Sequence, residues 1–231
     1  TAVNLTVFFK LAELPDNSTT IYDDVISDVD LQPEELPRDN ARFPDTTNDA
    51  LGPYQGRMWT LDPAVGFGGR VIYSPIGRPE SNAGFVEINN SDDPCQRLVS
   101  WGNTLYAFTH GKIVQIIGSD EPFVFNAVFG APGTTEPNSV VATPFGILYQ
   151  AADGIRLFDG AASRLVGFEA LGVLFQGEAL EGVSAFEAVV AEYAGREVWF
   201  SNGTTTLVLD PKDGSWRIAV GGVMAFYYEA D

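Results

Sequence analysis

The run SVVATPFGILYQAADGIRLFDG, residues 139–160, decides the fold class of this 231-residue chain. A β-rich segment reaches Gly146, a second apolar segment follows, and Asp153 and Gly154 then mark a tight turn before a third apolar segment. Asp-Gly is a strong hairpin signal, because glycine accepts positive φ and aspartate can hydrogen-bond its own backbone. The run therefore predicts consecutive antiparallel strands.

The same pattern occurs twice more, in RLVSWGNTLYAFTHGKIVQIIG (97–118) and AVVAEYAGREVWFSNGTTTLVLD (188–210). Each copy has a first glycine, then an aromatic residue, then a turn pair. The matching positions are Gly102, Gly146 and Gly195; Tyr106, Tyr149 and Trp199; His110-Gly111, Asp153-Gly154 and Asn202-Gly203. Successive first glycines lie 44 and 49 residues apart, which is the period of four-stranded propeller blades.

A fourth candidate strand follows each copy, at 123–130, 163–169 and 215–222. An earlier partial copy, GRMWTLDP (56–63) with GRVIYSPIG (69–77), indicates a degraded blade. The sequence thus predicts an all-β fold of propeller-like repeats, each a four-stranded antiparallel blade. The predicted blades lie near 56–90, 97–130, 139–169 and 188–222, and segment 170–187 also permits a short helix.

The beginning of the chain differs in character. Residues 1–10 alternate as a strand does, whereas Pro15, Pro33, Pro37, Pro44 and Pro53 interrupt every candidate element that follows. We therefore expect two regions: residues 1–55, an N-terminal strand and an extended, proline-rich acidic arm, and residues 56–231, the β domain. Pairing of residues 1–10 with the tail at 222–231 would cover exposed sheet edges.

The net charge of −18 restricts the classes of partner. A surface this acidic repels nucleic-acid phosphates and anionic membranes, so tight binding of either is disfavoured. No apolar run of about 18 residues is present, so we expect no membrane span, and the start of the chain predicts no signal peptide. With one cysteine, Cys95, and one histidine, His110, the chain has no internal disulfide and no Cys/His zinc site.

Few residues are candidates for chemistry. His110 lies at a predicted hairpin tip and Cys95 has no activating neighbour, so we interpret them as a turn residue and a passive thiol. Asp153 and Asp159 are interpreted as turn residues, although a pair of glycosidase carboxylates could come from anywhere in the chain. We predict no catalytic residue, no cofactor-binding residue and no metal site.

Two acidic clusters and one glycine-rich run are candidate binding sites. The clusters could hold calcium but lack the Asp-x-Asp-x-Asp-Gly spacing, so solvated loop charge is favoured. They are Asp23, Asp24, Asp28 and Asp30, and Asp92 with Asp93. The run GFGGRV (66–71) lacks the third glycine of a phosphate loop and is not followed by a helical pattern.

Taken in order, the acidic arm, GRMWTL, GRVIYSPIGRPE, LVSWGNTLYAFTHGKIVQIIG and SVVATPFGILYQAADGIRLFDG resemble one known family. It is that of the tail nozzle proteins of short-tailed bacteriophages, also called tail tubular protein B, together with the related packaged-DNA stabilisation proteins. The resemblance covers roughly residues 50–165. Its shared features are Tyr73-Ser74-Pro75 before a proline loop and the Asp153–Gly160 hairpin.

The resemblance implies a structural protein of the virion tail, assembled in the host cytoplasm, and no enzyme. It implies a homo-oligomeric ring of six subunits that extends the head-to-tail channel and conducts double-stranded DNA during ejection without sequence-specific binding. The implied partners are tail adaptor and portal-side proteins and tail fibres. The acidic charge agrees with a conduit that does not retain DNA. Which residues line the channel is not determined by the sequence.

The alternative is a carbohydrate-binding or carbohydrate-active propeller. Trp59, Trp101, Trp199 and Trp216 are possible stacking platforms for sugars. The alignment of Trp199 with Tyr106 and Tyr149 favours a place in the blade core instead.

Overall fold

The computed structural model describes residues 21, 23, 41–42, 49–62, 68–89, 92–119, 121–176, 186, 188 and 190–220. Eighteen strands and two short helices lie in these ranges. The predicted strand at 1–10, most of the predicted arm, and the tail at 222–231 lie outside the described residues.

Four antiparallel four-stranded sheets form the described part of the fold, which confirms the predicted all-β, propeller-like class. Sheet 1 consists of β2 (Ala50–Tyr54), β3 (Arg57–Leu61), β4 (Arg70–Tyr73) and β6 (Gly84–Glu87). Sheet 2 consists of β7 (Cys95–Trp101), β8 (Thr104–Thr109), β9 (Ile113–Ile117) and β10 (Val124–Ala127). Sheet 3 consists of β11 (Val141–Thr143), β12 (Gly146–Ala151), β13 (Gly154–Phe158) and β14 (Ser163–Leu165). Sheet 4 consists of β15 (Val190–Ala194), β16 (Glu197–Ser201), β17 (Thr205–Asp210) and β18 (Ser215–Val220).

Three shorter elements complete the described structure. A two-stranded sheet pairs β1 (Ala41–Arg42) with β5 (Ser81–Asn82). A 3₁₀ helix spans Pro137–Ser139, and the α-helix α1 spans Phe168–Phe175. No helix in the described part of the chain has the length and apolar character needed to cross a membrane.

Sheet 1 is a full blade, where the sequence predicted a degraded one that starts at residue 56. Its missing strand is β2 (Ala50–Tyr54), which lies within the region assigned to the arm and pairs with β3. The strand escaped prediction because Gly52 and Pro53 interrupt its pattern. A proline is tolerated here since β2 is an edge strand and its register shifts between Leu51 and Tyr54.

The last predicted strand of the third blade, at 163–169, is shorter than expected. Strand β14 ends at Leu165. Helix α1 starts at Phe168, two residues before the segment 170–187 in which the sequence permits a helix, and most of it lies inside that segment. Gly167 separates the two with a φ of 74°, and a Cβ atom there would lie 2.2 Å from Nε1 of Trp216. Both facts make glycine the residue that allows the chain to leave the strand and turn into the helix.

Successive sheets pack face to face, and each of the three interfaces contains one hydrophobic cluster. In β8, Leu105 and Ala107 face sheet 1 whereas Tyr106 and Phe108 face sheet 3, as the alternation of side chains along a strand requires. The clusters between sheets 1 and 2, 2 and 3, and 3 and 4 together hold most of the buried apolar side chains. This stacking of twisted sheets is the core of a propeller-like fold.

The first strands of neighbouring sheets lie next to one another. Strands β2 and β7, β7 and β11, and β11 and β15 all come into contact. The fourth strands lie at the opposite edges of the sheets. The first strands therefore occupy the inner side of the array, and the fourth strands occupy its rim.

Candidate functional site

The Asp153 side chain is tied to the hairpin in which it lies. Strand β12 ends at Ala151 and β13 starts at Gly154, so the turn residues are Ala152 and Asp153. The Asp153 carboxylate accepts hydrogen bonds from Nη2 and Nε of Arg156, at 2.6 and 2.8 Å. These bonds lower the pKa of Asp153 below its ordinary value. The carboxylate thus closes a turn and is not directed at a ligand.

Asp159 closes the next connection, between β13 and β14. Its Oδ1 accepts hydrogen bonds from the backbone N–H groups of Ala162 and Ala161, at 2.9 and 3.0 Å. Those two bonds lower the pKa of Asp159. Asp213 has the same role in sheet 4, where it accepts the N–H of Ser215. Asp153, Asp159 and Gly160 of the decisive run accordingly lie in turns, as predicted, whereas Gly154 is the first residue of β13.

The three aligned turn pairs occupy the same connection, between second and third strands, but with different lengths. Sheets 2 and 4 use three residues, His110–Lys112 and Asn202–Thr204, and sheet 3 uses two. His110 is exposed at such a tip, and in sheet 4 the Asn202 side chain accepts the N–H groups of Thr204 and Thr205. Asn202 thus satisfies backbone donors at the point where the ladder of sheet 4 ends.

Cys95 is buried at the interface of sheets 1 and 2. Burial, with a smaller contribution from the nearby Asp49 charge, raises the pKa of its thiol. A thiol in this state is a poor nucleophile, because the thiolate is the reactive form. The interpretation of Cys95 as a passive thiol agrees with this surrounding.

Asp93, from the second acidic cluster, lies in the loop before sheet 2, where hydrogen bonds hold its side chain in place. Its carboxylate accepts hydrogen bonds from Thr109 Oγ1 at 2.8 Å, Asn89 Nδ2 at 2.9 Å and Gly111 N at 3.0 Å. Burial raises the pKa of Asp93, but these donors together lower it below the ordinary value. No group of three or more His, Cys, Asp or Glu side chains suited to a metal ion occurs among the described residues.

Of the first acidic cluster, only Asp23 lies in the described part of the chain, and it is exposed. Asp24, Asp28 and Asp30 lie outside it. In the GFGGRV run, the residues after the glycines form strand β4, which starts at Arg70. A phosphate loop needs a helix at that point, and a strand takes its place here.

The three aligned aromatic residues, Tyr106, Tyr149 and Trp199, do not occupy equivalent positions in their sheets. Tyr106 faces sheet 3, whereas Tyr149 faces sheet 2, so both lie in the same cluster from opposite sides. Trp199 lies on the face of β16 opposite to Val198 and Phe200, which pack against sheet 3. Tyr149 follows its first glycine by one residue fewer than the other two aromatics do, and a one-residue shift reverses the face.

The remaining tryptophans have structural contacts. Trp59 is 1% exposed and packs against Tyr73 and Phe123, with ring centroids 5.4 and 5.1 Å away. Trp101 donates a hydrogen bond of 2.7 Å from Nε1 to the carbonyl of Thr143, which joins sheet 2 to sheet 3. Trp59 therefore presents no free ring face for a sugar, and Trp101 is half-buried.

Asp49 has a structural role that the sequence does not indicate. Its carboxylate accepts hydrogen bonds from Leu98 N at 2.7 Å and Arg97 Nη1 at 3.0 Å, and so joins the start of sheet 1 to strand β7. Only 8% of its side chain is exposed, and burial raises its pKa more than Leu98 and Arg97 lower it. The sequence predicts instead that this residue belongs to the extended acidic arm.

The inner first strands expose small, uncharged residues. The exposed positions there are Ala50, Gly52 and Pro53 in β2, Ser100 in β7 and Ala142 in β11. The sequence left the lining of the inner side undetermined. In the described part, the exposed positions of these strands are uncharged, and Arg97 in β7 and Glu192 in β15 are partly exposed.

No protein-family model matches the chain, and no curated protein sequence matches it. Among solved structures, it is similar to the Neurospora crassa Pan2 WD40 domain, with a TM-score of 0.47 and 13% identity over 76% of this chain and 51% of that one. It is also similar to Myxococcus xanthus glutaminyl cyclase, with a TM-score of 0.40 and 14% identity over 69% of this chain and 64% of that one. The chain therefore spans less than two thirds of either protein, and both similarities concern the fold alone.

Proposed function

We propose that this chain is a structural protein of a phage tail and has no enzymatic activity. In this proposal it is a propeller-bearing subunit of a homo-oligomeric ring of six that extends the head-to-tail channel. DNA passes through the ring during ejection without sequence-specific binding. Adaptor and portal-side proteins and tail fibres are its partners in the virion.

One observation carries the proposal: the sequence runs that resemble the tail nozzle family coincide, in order, with strands of sheets 1 to 3. GRMWTL covers β3, GRVIYSPIG covers β4, LVSWGNTLYAFTHGKIVQIIG covers most of β7 and all of β8 and β9, and SVVATPFGILYQAADGIRLFDG covers β11 to β13. The resemblance therefore follows a whole series of blades in order. An isolated motif match would not extend over three sheets.

The use of the carboxylates supports a structural role. Asp49, Asp93, Asp153 and Asp159 each accept hydrogen bonds from the chain that surrounds them. A catalytic acid or base needs a side chain that can reach a substrate, usually in a cleft. Carboxylates that are already engaged in turns and between sheets favour stability over chemistry.

The arrangement of charge supports weak contact with DNA. Residues 51–231 contain ten basic residues. Five of these ten, all of them arginines, form close ion pairs with carboxylates in the described part of the chain. They are Arg70–Glu87, Arg97–Asp49, Arg156–Asp153, Arg196–Asp210 and Arg217–Glu197. An arginine that is already paired with a carboxylate neutralises no DNA phosphate and so releases no counterion from the duplex. The affinity of the protein for DNA is therefore expected to stay low.

The alternative, a carbohydrate-binding or carbohydrate-active propeller, has less support. Such a site needs aromatic rings with an open face, and Trp59 is 1% exposed. Trp101, Trp199 and Trp216 are half-buried. These are the four residues on which that alternative was based.

Two experiments test the proposal. Antibodies against the chain, applied to virions and viewed by electron microscopy, are expected to label the tail axis; labelling of the capsid surface alone, or of no virion part, contradicts it. Binding to a 30-base-pair duplex is expected to be weak and almost independent of salt. Tight binding at low salt would contradict an acidic conduit, and selective glycan-array binding by a monomer would favour the alternative.

A further inference from the structure

A surface groove of about 490 Å³ lies where the β8–β9 turn meets the segment after β10. It is lined chiefly by apolar side chains together with one cation, Lys112. The apolar lining comprises Ala127, Val128, Phe129, Ala131 and Pro132. Such a lining, with a single charge at its edge, is typical of a surface that binds an apolar segment with an adjacent acidic group.

Phe129 marks this groove as a binding surface, because its side chain is fully exposed at 100%. A phenylalanine that stays in water forgoes about 1.5–3 kcal/mol of burial free energy. Lys112 forms no ion pair with any residue of the described part of the chain. The groove thus offers one unused apolar anchor and one unused cation side by side.

A carboxylate beside the groove, that of Asp93, is already engaged. Asp93 accepts hydrogen bonds from Gly111, which lines the groove, and from Thr109 and Asn89. Three donors, from its own loop and from the β8–β9 connection, compensate this carboxylate, and no acidic residue lines the groove itself. Lys112 is therefore the charge that a ligand meets at the groove, and the ligand that fits it is acidic.

The acidic segment at residues 21–30, IYDDVISDVD, has the matching composition. It places Ile21 and Tyr22 directly before Asp23 and Asp24, so an apolar anchor and a carboxylate pair are neighbours. In the chain itself Ile21 is 78% exposed, and Asp23 is exposed. At these two positions the segment is therefore not covered by its own chain.

We infer that the groove at Phe129 and Lys112 binds the acidic segment 21–30 of a second copy of this chain. The inference rests on the proposed function, since a segment given to the next subunit is how a closed ring would be built. The contact is heterologous: each copy gives its segment to one neighbour and receives a segment from the other. Ring closure then satisfies every groove.

Charge reversal tests this inference in the full-length chain. One variant carries Lys112→Glu, and the other carries Asp23→Lys with Asp24→Lys. Each alone opposes like charges across the contact, so light scattering at low salt is expected to show association weakened on the order of tenfold or more. Mixed in equal amounts, the two variants present only opposite charges to each other, and assembly is expected to return.

The return of assembly on mixing distinguishes a contact between copies from a contact within one chain. If the segment bound its own groove, mixing two variants would restore nothing. One chain that carries all three substitutions is expected to assemble as well as the wild type. Failure of both mixing and the triple variant to restore assembly would overturn the inference.

Two further variants control for charge and for folding. Lys212→Glu makes the same charge change in the exposed turn of sheet 4, and assembly equal to that of the wild type is expected. Phe129→Ser removes the apolar anchor at a fully exposed position and is expected to weaken assembly while leaving the thermal midpoint unchanged. Loss of assembly in Lys212→Glu would indicate an effect of net charge and overturn the inference.

A wild-type chain that stays monomeric at all concentrations, or groove variants that assemble like the wild type, would also overturn it. Tail labelling in virions is independent of the groove. The proposed function can therefore fail or hold separately from this inference.

Discussion

Replacement of Asp49 by alanine is the most informative test of how the sheets are joined. The sequence assigns this residue to an extended acidic arm outside the β domain, where its loss would have almost no effect on the stability of that domain. In the structure it accepts hydrogen bonds from Leu98 N at 2.7 Å and Arg97 Nη1 at 3.0 Å. The two descriptions predict different free energies of unfolding.

The expected loss follows from the partners that the substitution leaves behind. An orphaned, buried Leu98 N–H costs about 1–3 kcal/mol, and the partly exposed Arg97 adds about 0–1 kcal/mol. Relief from burying a charge offsets part of this, since burial already raises the pKa of Asp49. We expect Asp49→Ala to lower the free energy of unfolding by about 2 kcal/mol, which is a fall in the thermal midpoint of about 4–8 °C.

Urea denaturation followed by tryptophan fluorescence measures this difference. Asp49→Asn keeps an oxygen acceptor for Leu98 N–H and removes the buried charge, so we expect a loss of about 1 kcal/mol or less. Asp92→Ala, in an exposed loop position near sheet 2, serves as the control and is expected to stay within about 0.5 kcal/mol of the wild type. If Asp49→Ala is equally silent, the carboxylate does not join sheet 1 to sheet 2, and the reasoning is refuted.

Three further outcomes are expected from the same structure. Phe158→Ala should lower the free energy of unfolding by about 3–5 kcal/mol in urea, because the ring is fully buried between sheets 2 and 3 and packs edge-on against Tyr106 with centroids 5.1 Å apart; a loss under about 1 kcal/mol would contradict face-to-face packing. Asp153→Asn should cost about 0.5–1 kcal/mol at pH 7. The pKa of Asp153 is lowered by Arg156, so its contribution is present above the unfolded-state pKa of about 4 and should fade as the pH falls through the folded pKa; a cost that is independent of pH down to about 2 would show that the ion pair is not its source. Cys95 should resist alkylation at pH 8 in the folded protein and react once urea unfolds it, as mass spectrometry can follow; fast alkylation of the native chain would contradict burial of its thiol.

The blade pattern could be predicted from sequence because it depends on local signals. Short β-rich runs identified strands such as β12 and β16, and glycine-containing turns separated them. The predicted fourth strands at 123–130 and 215–222 correspond to β10 and β18. Each of these signals lies within about ten residues of the element that it predicts.

Features that depend on contacts between sheets could not be predicted. Strand β2 is hidden by Gly52 and Pro53, and only its pairing with β3 identifies it. Asp49 looks like any other acid of the arm until β7 is brought against it. The opposite faces of Tyr106 and Tyr149 depend on one residue of spacing, which an alignment that tolerates small offsets conceals.

The groove at Phe129 and Lys112 is invisible in the sequence for a similar reason. It forms between two connections that lie about fifteen residues apart, and neither carries a recognisable motif. Conversely, the segments that suggested chemistry, the Asp-Gly pairs and the Asp92-Asp93 cluster, are used for turns. An aspartate that closes a turn and one that binds a ligand look the same in the sequence, and only their hydrogen-bond partners in the structure distinguish them.

Electron microscopy of the purified full-length protein tests the proposed role most directly. Class averages are expected to show closed rings with sixfold symmetry, in which the propeller domains surround a central opening. A population of single particles at every concentration, together with selective binding to a glycan, would contradict a structural ring subunit of a phage tail.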